Sequence, residues 1–396
     1  QRHQLFFVGS KICKNKKQLP NFKITMLKKF IPFLLLVAIL QGCYVGKTLL
    51  YQKAGIYDYT IFKNNIVATD APHILPTSAF YNQKSFPDNI LPLAEKLKTT
   101  AFVVIKNDLL IFEKYWNEGS DSTISNSFSM AKSLVGLLIG FAIQDGYIKS
   151  VDQYACEFLP EFSHGCKKHI RIRDLLTMSS GLAWDESYVN PFGKTAKAYY
   201  GRNLYKQMTR LKVAQTPGYT FRYLSASTQI LGLLLTKATG KSLSQYLSEK
   251  LWKPIGAEHQ ALWSVDRKGG NEKAYCCFNA TARDYAKIGL FGLHEGNWKG
   301  KQLLSGEYIK QSFTPASNLS DKDGNSVDFY GYQWWILNYK NLKINMACGL
   351  YGQYIIMIPQ KNVVIVRLGH KTSDQYIGNY NADVYSYIDA GLSLAE

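Results

Sequence analysis

The sequence of 396 residues predicts a mixed α/β fold of the α+β type, in which an antiparallel sheet is flanked by helices and interrupted by a mostly helical insertion. Residues 101–105 and 109–112 are apolar runs around the polar pair Asn107-Asp108, which is the pattern of a β-hairpin. Three further β-rich runs, joined by short turns that contain Gly or Pro, lie near the C-terminus: 342–347, 354–358 and 363–368. Between the two groups, apolar positions recur at helical spacing. Strands near both ends therefore predict one sheet built from the two ends of the chain.

The composition narrows the class of protein. Lys and Arg number 47 against 29 Asp and Glu, which gives a net charge of +18, and 46% of the residues are hydrophobic. This content excludes a largely disordered chain, and seven cysteines are too few for a disulfide-dense scaffold. The positive charge indicates nucleic acid or an anionic membrane as candidate partners. Because the sequence contains no phosphate loop, dinucleotide fingerprint or nucleic-acid motif, we expect no cofactor and no nucleic-acid partner.

The N-terminal segment carries a targeting signal. Residues 1–42 hold eight Lys or Arg and no acidic residue, and an apolar run over 30–40 leads to Leu40-Gln41-Gly42-Cys43. This arrangement resembles a bacterial lipoprotein signal, which implies cleavage before Cys43 and a lipid attached to that cysteine. The expected location is then the bacterial cell envelope, with a lipid anchor in the membrane and the protein facing the periplasm or the exterior. The alternative is an uncleaved anchor, since residues 30–46 approach the shortest bilayer span. Met26 is the expected translation start.

We divide the chain into a signal segment (1–42), an N-terminal lead-in (43–90) and one large domain (91–396). The most apolar predicted helix covers residues 131–144 and has the composition of a buried helix. The other predicted helices lie over residues 89–97, 172–178, 226–238, 243–251, 282–292 and 382–395.

The start of the most apolar helix carries candidate chemistry. Ser129 and Lys132 are three residues apart, so their side chains lie on one helix face within hydrogen-bonding range. A serine hydroxyl needs an adjacent base to act as a nucleophile, and a half-buried lysine with a pKa lowered to roughly 7–8 can be that base. The N–H groups at a helix start also suit an oxyanion. A plain N-cap serine beside a solvated lysine is the alternative.

The combination of motifs is more specific than any one of them. Ser129-x-x-Lys132 is followed by a run over 170–182 (IRIRDLLTMSSGL), by Tyr223-x-Ser225, and by a hairpin with Gly349 and Gly352. Together they resemble the serine β-lactamase and penicillin-recognising hydrolase family, over about residues 95–390. Residues 279–286 and 330–335 are similar to the branch of esterases and nylon-oligomer (6-aminohexanoate-dimer) hydrolases, which shares its fold with class C β-lactamases.

The resemblance implies an acyl-enzyme route. Ser129 would attack a carbonyl, and Lys132 and Tyr223 would handle its proton and that of the leaving group, in either order. Ser225 would orient Lys132 or the substrate. The oxyanion hole would combine the Ser129 N–H with one from the hairpin, that of Leu350 after Gly349. Tyr188 would face the substrate, as a comparable tyrosine does in the oligomer hydrolases, although a surface loop aromatic is an equal alternative.

Two departures from the family pattern bear on the substrate. Ala347-Cys348-Gly349 stands where the family has Lys-Thr-Gly, and Tyr-x-Ser replaces Tyr-x-Asn. Both favour small esters or amides over β-lactams or peptidoglycan. The rival interpretations are a β-lactamase or D-alanyl-D-alanine carboxypeptidase, and a non-catalytic envelope lipoprotein.

The remaining histidines and cysteines give weaker signals. Six histidines after residue 43 lack paired metal spacing, so we expect no metal site. The sequence leaves open whether Cys156 and Cys166 form a disulfide. We interpret Cys276 and Cys277 as part of the core.

Overall fold

The structure is a computed structural model that describes residues 44–396, so the signal segment and Cys43 lie outside the described residues. Within this range the chain forms eleven α-helices, numbered here α1 to α11 in chain order: Tyr44–Tyr51, Leu91–Lys96, Met130–Gln144, Ile172–Leu176, Lys194–Tyr200, Leu204–Thr209, Ser225–Thr239, Leu243–Leu247, Ala282–Leu293, Gly306–Ser312 and Asp383–Ala395. The seven predicted helices correspond to α2, α3, α4, α7, α8, α9 and α11. The helix predicted over 243–251 is α8 followed by a π-helical turn at Ser248–Trp252.

The main sheet contains both predicted groups of strands. Six antiparallel strands lie in the order β3-β2-β12-β11-β10-β9, with β2 and β3 from the N-terminal part and the other four from the C-terminal part. Their bounds are Thr99–Lys106 (β2), Leu109–Tyr115 (β3), Trp335–Tyr339 (β9), Leu342–Gly349 (β10), Gln353–Ile358 (β11) and Val363–Gly369 (β12). The pairing of β12 with β2 joins the two ends of the chain, which confirms the predicted fold class.

Both faces of this sheet are buried. Along β2, Val103 and Ile105 pack into one apolar core with α3, α7 and α9, while Phe102 and Val104 pack into a second core with α11. Successive side chains of a strand point to opposite faces, so a strand covered on both sides is apolar throughout. This explains why the predicted strands are continuous hydrophobic runs.

A second sheet was not predicted. Its four strands have the order β1-β5-β6-β4, with bounds Lys63–Val67 (β1), Ser125–Asn126 (β4), Ala261–Val265 (β5) and Phe278–Ala280 (β6). The lead-in segment contributes β1, which pairs with β5 along its whole length. Two small hairpins complete the described strands: Asn297–Trp298 with Lys301–Gln302 (β7, β8), and Tyr376–Ile377 with Tyr380–Asn381 (β13, β14).

The cysteines differ from expectation. Cys276 and Cys277 are buried as predicted, but they form a disulfide with each other. Cys156 and Cys166 are free, so the bridge left open between them is absent from the described residues. Across residues 44–396, none of the helices combines the length and apolar character needed to cross a membrane.

Candidate active site

The candidate nucleophile lies at the junction of the four-stranded sheet and α3, the buried apolar helix. Strand β4 ends at Asn126, Phe128 has a φ of 43°, and Ser129 is the N-cap residue of α3. A non-glycine residue in the left-handed region is uncommon and is held by its surroundings. Here Asn126 supplies part of that support, because its Oδ1 accepts hydrogen bonds from the N–H groups of Phe128 and Cys277. Ser129 thereby stands at a helix start, where the next N–H groups, those of Met130 and Ala131, donate to the Ser127 and Phe128 carbonyls.

Lys132 is buried beside Ser129. Its side chain is 1% exposed, and Nζ donates to Ser129 Oγ over 2.8 Å and to the Tyr275 carbonyl over 3.0 Å. Burial lowers the pKa of Lys132 from 10.5 to about 8, because it penalises the charged form, and the negative charge of Glu186 partly opposes this effect. The lysine is therefore suited to accept the proton of Ser129 near neutral pH.

Tyr223 covers the other side of the lysine. Its ring lies 5.0 Å from Lys132 Nζ, and it packs against Tyr330 and Trp335. Burial raises the pKa of the Tyr223 phenol well above its usual range, while the hydrogen-bonding interaction with Ser129 acts in the opposite direction. A phenol with a raised pKa keeps its proton near neutral pH. Tyr223 is therefore suited to donate a proton and not to act as the base.

Glu186 connects the remaining polar groups of the site, and sequence reasoning missed it. Its carboxylate accepts hydrogen bonds from Ser225 N over 2.7 Å, from Ser225 Oγ, and from the Tyr188 hydroxyl over 2.7 Å. Ser225, which we expect to orient Lys132 or the substrate, lines the cavity and donates its hydroxyl to Glu186. Tyr188 is 53% exposed and lines the cavity with its hydroxyl tied to Glu186. The only feature of the sequence that could have indicated Glu186 is its place in the run Trp184-Asp185-Glu186, just before Tyr188.

The end of β10 lies against the segment that leads into Ser129. A Cβ on Gly349 would come within 2.2 Å of the Ser127 carbonyl oxygen, so only glycine allows the strand to approach this closely. Leu350 follows directly and lines the same cavity as Ser129. The Leu350 N–H at the strand end and the Ser129 N–H at the helix start are the predicted oxyanion donors.

The cavity that begins at Ser129 has a volume of about 80 Å³. It is lined mainly by aromatic and small side chains from α1, α5, the Tyr275-Cys276 segment and the loop after β10. Among residues 44–396, no cluster of three or more His, Cys, Asp or Glu has the arrangement of a metal site.

A serine hydrogen-bonded to a buried lysine, with a neutral phenol opposite and backbone donors at a helix start, defines a serine hydrolase of the esterase or amidase type. The chain belongs to the Beta-lactamase family, whose model matches residues 88–383.

Some proteins similar to this chain are named hydrolases. The chain is 26% identical over 293 residues to the 6-aminohexanoate-dimer hydrolase of Paenarthrobacter ureafaciens, covering 69% of this chain and 73% of that protein. Two solved structures share the fold. A Bacillus anthracis protein, provisionally named a 6-aminohexanoate-dimer hydrolase, superposes with a TM-score of 0.74 at 23% identity, covering 90% of this chain and 96% of that one. A family VIII carboxylesterase superposes with a TM-score of 0.59 at 15% identity, covering 81% and 98%.

Proposed function

We propose that this protein hydrolyses ester or small amide bonds through an acyl-enzyme on Ser129. The observation that carries the proposal is the 2.8 Å hydrogen bond between Ser129 Oγ and the Nζ of a lysine whose pKa burial lowers to about 8. A nucleophile and a base in this contact satisfy the geometric and protonation requirements for acyl transfer.

We propose an order for the proton transfers from the opposite pKa shifts of Lys132 and Tyr223. Ser129 Oγ attacks the substrate carbonyl carbon while Lys132 takes the hydroxyl proton, because its pKa is lowered whereas that of Tyr223 is raised. The Ser129 and Leu350 N–H groups stabilise the oxyanion of the tetrahedral intermediate. Tyr223 gives its proton to the departing alcohol or amine and regains one from Lys132. Water then attacks the acyl-enzyme, and the carboxylic acid leaves as Ser129 recovers its proton.

The substrate proposal is an ester or a short amide. The family's Lys-Thr-Gly lysine, which helps hold a β-lactam carboxylate, is replaced by Ala347, a buried residue of β10. The Paenarthrobacter ureafaciens relative is a 6-aminohexanoate-dimer hydrolase by name, which makes aminohexanoate oligomers one member of the test panel.

The proposal is tested by covalent labelling and by turnover. A fluorophosphonate probe is expected to label the wild type and not Ser129→Ala, and Ser133→Ala is the matched control on the same helix. Turnover is then compared on p-nitrophenyl esters, aminohexanoate oligomers and nitrocefin. Undiminished labelling of Ser129→Ala would remove Ser129 as the nucleophile, and rapid nitrocefin turnover would favour a β-lactamase. A folded protein inert to the probe and to all substrates would favour a non-catalytic role.

We further propose that the protein is a lipoprotein anchored through Cys43 in the bacterial cell envelope. A groove beside Tyr44, the residue after Cys43, supports a position at an anionic membrane surface. Five exposed cations line this groove and no carboxylate does: Lys194, Lys197, Arg202, Lys206 and Arg210. Each basic residue near an anionic bilayer contributes about 1 kcal/mol of attraction.

Mass spectrometry of the membrane fraction tests the anchor. We expect a mature N-terminus at Cys43 with added lipid, and a water-soluble product from Cys43→Ser. A different, unlipidated N-terminus would contradict the proposal. In vesicle sedimentation, residues 44–396 should bind phosphatidylglycerol better than phosphatidylcholine, and Lys197→Glu with Lys206→Glu should weaken that preference.

A further inference from the structure

Two tyrosine hydroxyls in the wall of the Ser129 cavity have no hydrogen-bond partner. Tyr200 is 5% exposed and Tyr275 is 4% exposed, both line the cavity, and neither phenol oxygen is hydrogen-bonded within residues 44–396. Buried polar groups are nearly always satisfied, because an unmade hydrogen bond is costly in a low-dielectric interior. By contrast, the neighbouring Tyr199 hydroxyl donates to Asp58 over 2.7 Å. The two unpaired phenols therefore point to a ligand that supplies acceptors.

Both phenols are hydrogen-bond donors at neutral pH. Burial raises the pKa of Tyr200 above its usual range, and the negative charge of Asp58 adds to this effect. Burial, then Glu186, then Tyr200 raise the pKa of Tyr275. Both tyrosines line the same cavity. A ligand there can therefore present oxygen acceptors to both hydroxyls.

The residues that line the cavity favour an anionic ligand. Lys53 is exposed and lines the cavity, and no carboxylate does. The two carboxylates whose charges act on Tyr200 and Tyr275 do not line the cavity, and both already accept hydrogen bonds: Asp58 from Tyr199, and Glu186 from Ser225 and Tyr188. A carboxylate in the cavity would meet two neutral donors and one cation.

The position of the cavity indicates which part of the substrate it holds. Ser129 and Leu350, which would bind the carbonyl under attack, line this cavity. Tyr223, the proposed donor to the leaving group, lines a different one with Glu186 and Trp335. The cavity with the unpaired phenols is thus on the acyl side of the scissile bond.

We propose that the acyl part of the substrate carries a carboxylate, which accepts hydrogen bonds from Tyr200 and Tyr275 and is attracted by Lys53. The inference rests on the proposed function and specifies its substrate class as half-esters or half-amides of dicarboxylic acids.

The test compares two series of p-nitrophenyl esters at matched chain length. One series contains the monoesters of succinic, glutaric, adipic and suberic acids, and the other the esters of butyric, valeric, hexanoic and octanoic acids. We expect a higher kcat/KM for the half-ester at one length or more. This preference should fall about tenfold in Tyr200→Phe, in Tyr275→Phe and in Lys53→Gln, because each removes one hydrogen bond or charge to a carboxylate.

Tyr246→Phe is the matched control, since its hydroxyl donates to Asp145 outside the cavity. It should keep the wild-type preference. No preference for any half-ester, or a preference unchanged in both cavity Tyr→Phe variants, would overturn the inference. Loss of turnover on both series together with absent fluorophosphonate labelling of the wild type would instead refute the proposed function.

Discussion

The burial of Lys132 predicts the pH dependence of Ser129 acylation. With a pKa of about 8, the lysine is neutral in about 9% of molecules at pH 7 and in about 91% at pH 9. The rate constant of fluorophosphonate labelling should therefore rise about tenfold between these pH values, with a midpoint near 8. A lysine at its ordinary pKa of 10.5 would be neutral in only about 0.03% of molecules at pH 7.

Glu186→Gln provides the perturbation. The negative charge of Glu186 raises the pKa of Lys132, so its removal should move the midpoint below that of the wild type and raise the fraction of neutral lysine at pH 7. Glu249→Gln, on an exposed carboxylate paired with Lys241, is the matched control and should leave the midpoint unchanged. The labelling rate is measured across pH 6 to 10 in all three proteins. A wild-type midpoint near 10.5, or a midpoint that moves upward in Glu186→Gln, would refute this account of the base.

Further predictions concern other parts of the site. Tyr223→Phe should slow amide hydrolysis about 10²–10⁴-fold and p-nitrophenyl ester hydrolysis much less, since p-nitrophenolate leaves without a proton; equal losses in kcat/KM would argue against Tyr223 as the proton donor. Lys132→Met should abolish labelling, yet it should raise the free energy of unfolding at pH 7, measured by urea denaturation, by about 1–2 kcal/mol. Lowering the lysine pKa from 10.5 to about 8 costs the folded protein about 3 kcal/mol, which the methionine avoids. The hydrogen bonds lost with the lysine offset part of this gain. The folded lysine binds fewer protons than the unfolded one between pH 8 and 10.5, so wild-type stability should rise with pH there, and Lys132→Met should lack this rise. Gly349→Ala should lower labelling at least tenfold, because its Cβ meets the Ser127 carbonyl oxygen; wild-type labelling would contradict the proposed close approach. Alkylation of unfolded residues 44–396 should modify three cysteines before reduction and two more after it, and five before reduction would contradict the Cys276–Cys277 disulfide.

The sequence was most informative where a single local pattern determines an element. The hairpin of β2 and β3 and the buried helix α3 follow from apolar runs. In β2 and α3 almost every residue is buried, so successive positions are apolar and the element is easy to recognise. The sequence did not predict strand β1 because its five residues, KNNIV, include two asparagines and do not form an apolar run. Most of these residues are partly or fully exposed in the structure. Its partner β5 is nearly 200 residues away, and no local pattern specifies a pairing at that distance.

The same distinction applies to the candidate site. Ser129 and Lys132 could be inferred together because one helix turn sets their separation. Glu186 could not, since it lies in a loop and reaches Ser225 only after the chain between them has folded. The effect of Glu186 on the pKa of Lys132 also depends on the burial of Lys132, which arises only when the whole domain has folded.

These long-range contacts explain why Lys132 is held at a pKa of about 8 rather than lower. Burial alone favours a neutral lysine, which would take a proton from Ser129 weakly and return it easily. The charge of Glu186 acts against burial, so the base keeps enough proton affinity to accept the serine proton while remaining partly neutral near pH 7. Since Glu186 is itself held by Ser225 and Tyr188, the residues expected to contact substrate also set the strength of the base.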